Sequence, residues 1–322
     1  MAKQKIRFNY FEPMLYINDG RLVLWDMKDF LEFILSNKRA FNAAVFLGDE
    51  VSDLEWNSCG FDETNNLYYI QLSKLRSKNI PSRKRINQDK ESLQLSDDEF
   101  LGEFNLLIYD PTMNIIVTQG NFYGLTTKQI ALSLSGIRMK YQDVQGLSDG
   151  DTPYVVHLAP IIDDAAISRV KNNEIYRKIS IKGADYQEIA GTHLTSSVLS
   201  KAIDAIDEIH GVNFEINITM AQTPKNESLE SEEVRKIIDD VLHLKNVEEK
   251  DVSMNIASRR DEENAIEYID LFSPRLTSSI VLDIKNRSTI GAEYIFNGFK
   301  EQNYYNPKIA MQNKVGRTIN RN

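Results

Sequence analysis

Late in the chain two carboxylates and a lysine fall close together: Asp270, then Asp283-Ile284-Lys285. Acids at the ends of neighbouring strands can hold Mg²⁺ while a lysine orients or activates water, which is the equipment of a metal-dependent nuclease. That chemistry requires the strand candidates at 265–272 and 278–284 to form a hairpin. Asp-x-Lys at a strand end also arises easily by chance, because charges mark where strands leave a core. The nuclease, with Mg²⁺ as its only cofactor, is therefore an alternative. Other chemistry finds fewer parts. Cys59 is the single cysteine, so no intrachain disulfide can form, and with no histidine nearby in sequence it reads as structural. His157, His193, His210 and His243 are scattered and build no His-Glu-x-x-His motif. No Gly-x-Ser-x-Gly and no phosphate-binding glycine loop occurs. His210 and His243 fall near the ends of helical patterns, where the helix dipole favours a cation.

Charge is more informative. Forty-seven acids and 38 bases leave a net charge of −9, and an acidic total argues against a partner held by phosphate contacts. The bases, however, are concentrated. Residues 74–90 carry +6 and residues 300–322 carry +4, which leaves −19 on the rest of the chain. A flexible basic segment can contact successive phosphates while an acidic body keeps nucleic acid off other faces. The candidate DNA-binding residues are thus Lys74, Arg76, Lys78, Arg83, Lys84 and Arg85, with Lys308, Lys314 and Arg317 in the tail. The plainer alternative is a solvated loop whose bases pair with Asp97, Asp98 and Glu99.

The elements that must position these residues are legible in outline. Ile6, Phe8 and Tyr10 alternate with polar residues, Asn18-Asp19-Gly20 supplies a turn, and Arg21–Trp25 returns as a hairpin. Asp26 can cap a helix with Phe30, Leu31 and Ile34 inward. Strands are predicted at 43–47 and 67–75, and the basic stretch 74–90, with Pro81 and several serines and asparagines, reads as a loop. A second hairpin joins 104–109 to 115–119 around Asp110-Pro111. A helix capped at Thr126 or Thr127 then runs to Gly136. Residues 143–153 form the best linker. Beyond it, strands are predicted at 176–181, 214–220, 252–257, 265–272 and 278–284, with helices at 195–210 and from Ser231. The expected class is α+β: two mixed α/β domains with antiparallel hairpins and packed amphipathic helices, at 1–145 and 154–299, then a basic tail at 300–322. No run of about 18 apolar residues occurs, so no membrane-spanning helix is expected, and the cysteine usage suits the cytoplasm.

The stretch Leu101–Ile137, LGEFNLLIYDPTMNIIVTQGNFYGLTTKQIALSLSGI, resembles the RexA-like phage-exclusion proteins in its order of features: leucine-glycine start, apolar strand, acidic turn, second strand, threonine cap and helix. Ser253–Ile284 is similar to them in its strand, charged turn and two further strands. More distantly, the chain resembles the DNA-binding component of the Kiwa anti-phage system. The resemblance covers about two-thirds of the chain by order of elements and has no sharp motif to anchor individual contacts. It implies a homodimeric, cytoplasmic, non-catalytic protein that binds DNA largely without sequence preference. Such a protein acts in phage exclusion, antiviral defence or abortive infection, with a membrane-protein partner encoded alongside. A module that senses a phage protein through its acidic surface is the remaining alternative.

Overall fold

The computed structural model describes residues 2–305 except 18–19, 39, 77, 79, 97–98, 148–153, 164, 184–188, 190–191, 193, 209–212, 221–223, 225, 247–249, 265 and 285–289. The class is α+β, with helices packed on antiparallel sheets. Residues 1–161 and 276–322 cluster as unit 1, and residues 162–275 as unit 2. This division differs from the predicted 1–145 and 154–299. The difference lies in strand pairing, because a strand's partner is set by packing at long range and leaves no local signal.

In unit 1, the alternation at Ile6 extends over β1 (Ala2–Tyr16), which closes the expected hairpin with β2 (Leu22–Leu24), Met14 opposite Leu24. α1 (Lys28–Ser36) is introduced by Asp26, whose carboxylate accepts the Lys28 N–H at 2.9 Å. β3 (Val45–Leu47), β4 (Glu50–Leu54), β5 (Gly60–Asp62) and β6 (Leu67–Arg76) follow. β7 (Ser82–Lys84) and β8 (Lys90–Ser92) make a separate two-stranded ribbon. β9 (Leu101–Asp110) and β10 (Ile115–Gly120) form the second hairpin, turned by the Asp110 carboxylate accepting the Thr112 and Met113 N–H groups. α2 (Thr127–Gln145) opens with a reciprocal Thr126/Gln129 capping box. It does not stop at Gly136 but runs to Gln145 and ends at Gly146, whose φ of 65° terminates it. Gly136 serves packing instead: a Cβ there would lie 2.8 Å from Val45 Cγ2. β11 (Val155–Pro160) then pairs with the second half of β1.

Unit 2 comprises α3 (Ala166–Lys171), β12 (Ile175–Gly183), α4 (Ser197–Glu208), β13 (Phe214–Thr219), α5 (Ser231–Asn246), β14 (Val252–Arg259) and β15 (Glu267–Asp270). Its sheet order is β13-β12-β14-β15, every pairing antiparallel. β13 and β14 therefore run parallel on either side of β12, joined through α5 as a split β-α-β unit. Leu199, Ile203, Val234, Ile238 and Val241 of the helices bury Ile179, Ile181, Met254 and Ile256 of the sheet. α5 also caps α4: Glu233 accepts the Ser196 hydroxyl at 2.8 Å and the Val198 N–H at 3.2 Å.

The chain re-enters unit 1 as β16 (Thr277–Ile284), which pairs with the first half of β1, and α6 (Ala292–Phe299). Among the described residues ten strands form this sheet, with the main order β11-β1-β10-β9-β6-β4-β3. Its two faces carry separate cores. On one face Phe30 and Leu31 of α1, with Ile130, Leu134 and Ile137 of α2, pack against Phe11, Leu72, Leu107 and Ile116. On the other face α6 packs Ile295, Phe296 and Phe299 against Ile6, Phe8, Leu106, Ile108 and Val117. No helix among the described residues is long and apolar enough to cross a membrane.

Lys300, the first base of the predicted tail, belongs to this packing. Its Nζ lies 2.6 Å from Asp62 Oδ2 and 4.4 Å from the centre of the Phe296 ring. The chain stays helical through Tyr305, and residues 306–322, with Lys308, Lys314 and Arg317, lie outside the described residues. Burial works to raise the Asp62 carboxyl, but the hydrogen bonds from Lys300 and Asn65, together with the Lys300 charge, outweigh it and hold the group below its usual value. We predict that Lys300→Met lowers the unfolding free energy by about 1–3 kcal/mol at neutral pH. A lowered carboxylate pKa contributes stability that is present above the unfolded value of about 3.9 and lost as pH falls through the folded value. The gap between parent and variant in denaturant titrations should therefore narrow below about pH 4. A gap that stays constant through that range would mean the charge plays no part.

Candidate nucleic-acid interface

β6 and β9 pair along their length, Arg76 opposite Leu101, and the described residues between them pair with no strand of this sheet. The sequence predicts one loop over 74–90, and the structure corrects this at two places. Lys74 and Arg76 are still within β6, and residues 82–92 form the β7–β8 ribbon, with all six strand residues exposed. Strands of three residues with both faces polar carry no hydrophobic period that a sequence could reveal. In the ribbon, Arg83 stands opposite Glu91 and Lys84 opposite Lys90. The turn between them holds Arg85, a 90% exposed Ile86, and Asn87 at φ 62°, a conformation asparagine tolerates.

The candidate bases are not equivalent. Lys74 is half-buried, 3.0 Å from Glu50, whose carboxylate also accepts the Gln129 side-chain amide. Arg76 is half-buried at the end of β6. Lys78 lies 2.8 Å from Asp49, and Arg83 lies 2.8 Å from Glu91; both pairs are exposed and so held weakly. Lys84, Arg85 and Lys90 are exposed and have no acid within ion-pair distance among the described residues. Like charges directly opposite on a ribbon repel, and an anion between Lys84 and Lys90 would relieve that repulsion. Glu99 does not supply it. Its carboxylate accepts the Ser96 N–H at 2.8 Å and the Ser96 hydroxyl at 3.0 Å, and these bonds, the backbone one first, pull its pKa down. Asp97 and Asp98 lie outside the described residues.

A second feature at the same end of the sheet has no sequence signal of its own. β10 ends at Gly120, opposite Arg7 of β1, and the chain turns through Asn121-Phe122-Tyr123-Gly124 into α2. Phe122 is 94% exposed and Tyr123 64%, their rings edge to face at 5.1 Å. Side-chain amides hold this turn. Asn121 donates to the Phe104 carbonyl at 3.0 Å and accepts the Tyr123 N–H. Buried Asn105 donates to the Gln119 carbonyl and accepts the Leu125 N–H at 2.7 Å. Beside the turn, Lys3, Lys5 and Arg7 are exposed on one face of β1 while Ile6, Phe8 and Tyr10 are buried on the other. The Lys-x-Lys-x-Arg alternation is visible in the sequence; that its polar face stays open beside two aromatic residues is not.

The nuclease arrangement is not assembled as a hairpin. β15 pairs with β14 in unit 2, and β16 pairs with β1 in unit 1, Asp283 opposite Lys3. Asp270 closes a turn, accepting the Phe272 and Ser273 N–H groups at 3.0 and 3.3 Å. Lys285 lies outside the described residues, and among those described no three His, Cys, Asp or Glu side chains group as a metal requires. Cys59 is buried, its thiol donating to the Glu55 carbonyl at 3.3 Å, and burial pushes its pKa up to about 11, away from thiolate chemistry. His157 packs edge to face on Tyr16 at 5.4 Å, and His193 and His210 lie outside the described residues.

The profile of a family of unknown function, DUF6731, matches residues 1–314. No curated protein matches the chain.

Gly124 fits the aromatic turn because a Cβ there would stand 2.3 Å from Asn105 Oδ1. Gly124→Ala should displace Asn105, leave the Leu125 N–H unpaired, and cost about 1–3 kcal/mol in urea unfolding. A neutral result would show that the amide network does not hold the turn.

Proposed function

We propose that this chain, which belongs to the DUF6731 family of unknown function, is a cytoplasmic, sequence-nonspecific DNA-binding protein that works without catalysis through the basic β7–β8 ribbon. The observation that carries the proposal is the ribbon itself: a wholly exposed projection with Lys84 opposite Lys90, Arg85 at its turn, and no acid within ion-pair distance of those three among the described residues. Phosphates would neutralise the three bases that no acid meets, beside Asp89 and the Arg83–Glu91 pair of the same ribbon, and contacts to them carry no base preference. A role in phage exclusion or antiviral defence, as a homodimer with a membrane-protein partner, is part of the same proposal and rests on the RexA-like order of features alone.

Binding to unrelated duplexes should weaken with salt, log K falling linearly with log salt concentration. Replacing Lys84, Arg85 and Lys90 together with alanine should reduce the magnitude of that slope by about 2–3, at roughly 0.9 per phosphate contact. Lys74→Met should leave the slope unchanged, since Lys74 is already held by Glu50. Failure of the parent to retard DNA at low salt, or an unchanged slope in the triple variant, would overturn the proposal.

A further inference from the structure

We infer that Phe122 and Tyr123 form a stacking platform for unpaired nucleobases, so that single-stranded nucleic acid is the occupant of this end of unit 1. The inference rests on the proposed phosphate-binding role of the ribbon and deepens it by naming the form of the ligand.

Three observations meet here. First, the rings are presented rather than merely uncovered: Asn121 and buried Asn105 commit side-chain hydrogen bonds to fixing a four-residue turn whose two central residues bury little of their own surface. A turn whose backbone is already held need not be ordered on binding. Second, the surroundings suit a polyanion. Arg7 stands opposite Gly120, Lys5 and Lys3 continue the exposed face of β1 past the end of β10, and none of the three has an acid within ion-pair distance among the described residues. The acids on this side include Glu103, 3.4 Å from the Asn121 amide, Asp283, opposite Lys3, and Glu50, which meets Lys74 and accepts the Gln129 amide at the start of α2. Third, the chain leaves for the ribbon from the same end of the sheet, where β6 stops at Arg76 and β9 starts at Leu101. Cationic side chains that track a backbone, with aromatic rings on which bases stack, are the combination that holds single strands without sequence preference. Bases within a duplex are already stacked on one another and cannot use the rings.

The test uses the full chain, three nucleic-acid probes and one control. The probes are a 20-nucleotide oligothymidylate, an abasic oligomer of the same length and a 20-base-pair duplex; the control is the protein's own self-association by sedimentation. Both rings are exposed, so Phe122→Ala/Tyr123→Ala should fold as the parent does. The double variant should bind oligothymidylate at least about 5-fold more weakly, with the abasic oligomer and duplex unaffected and the salt slope preserved. Phe122→Leu/Tyr123→Leu, which keeps apolar area but removes the rings, should lose as much. Unchanged oligothymidylate binding in the alanine variant, or full binding in the leucine variant, overturns the platform while leaving the ribbon proposal standing. An equal loss for duplex and single strand overturns it too, as does a parent dimer that dissociates in the variant. A parent that binds none of the three nucleic-acid probes at low salt overturns the ribbon proposal, and the platform with it.

Discussion

The pairing of β1 is the constraint on which unit 1 depends. Arg7 faces Gly120 on one edge and Ser279 on the other, while Met14 faces Leu24 on one edge and His157 on the other. One edge of the strand thus serves β10 and then β2, and the other serves β16 and then β11. Its side chains divide in the same way. Ile6, Phe8 and Tyr10 enter the core beneath α6, and Phe11 and Leu15 enter the core beneath α1 and α2. The break on the second edge falls at Tyr10, whose N–H donates to the Leu276 carbonyl and whose carbonyl accepts the Ile161 N–H. The chain leaves for unit 2 and returns there, with the Leu276 N–H donating to the Ile161 carbonyl at 2.8 Å. The long excursion through residues 162–275 is tolerated because its ends are held together by the sheet, and closure entropy grows only slowly with length.

The same strand explains where charge can act. In its first half the buried positions are even-numbered, so Lys3, Lys5 and Arg7 are free to face solvent. Some of the charge that packs is already answered: Lys74 meets Glu50, and Lys300 meets Asp62. On the ribbon Arg83 meets Glu91, but Lys84, Arg85 and Lys90 are not answered among the described residues, since three-residue strands with polar faces bury nothing. Counting bases by segment therefore overstates some residues and overlooks others. Only burial and pairing sort a phosphate contact from a structural ion pair.

Much of the fold is legible because local patterns are strong where one face is buried. The hairpins at β1–β2 and β9–β10 carry their turn residues, and α1, α4 and α5 carry helical spacing. Gly136 misleads because a glycine in a helix reads as a stop, whereas here it makes room for Val45. The hairpin expected for Asp270 and Asp283 misleads because consecutive strands are the usual partners, and here each finds a different one. Phe122 and Tyr123 do not stand out because aromatic residues beside a strand are ordinarily buried.

The sequence by itself determined the α+β class, most element positions and the two places where bases accumulate, since these follow from alternation, turn chemistry and composition over short windows. The tertiary structure alone decided that the last strand returns to β1, that Lys74 and Lys300 are engaged in ion pairs, and that Lys84, Lys90, Phe122 and Tyr123 remain open. Each of those outcomes depends on which distant residue arrives alongside, and distance in space is not written in any local period.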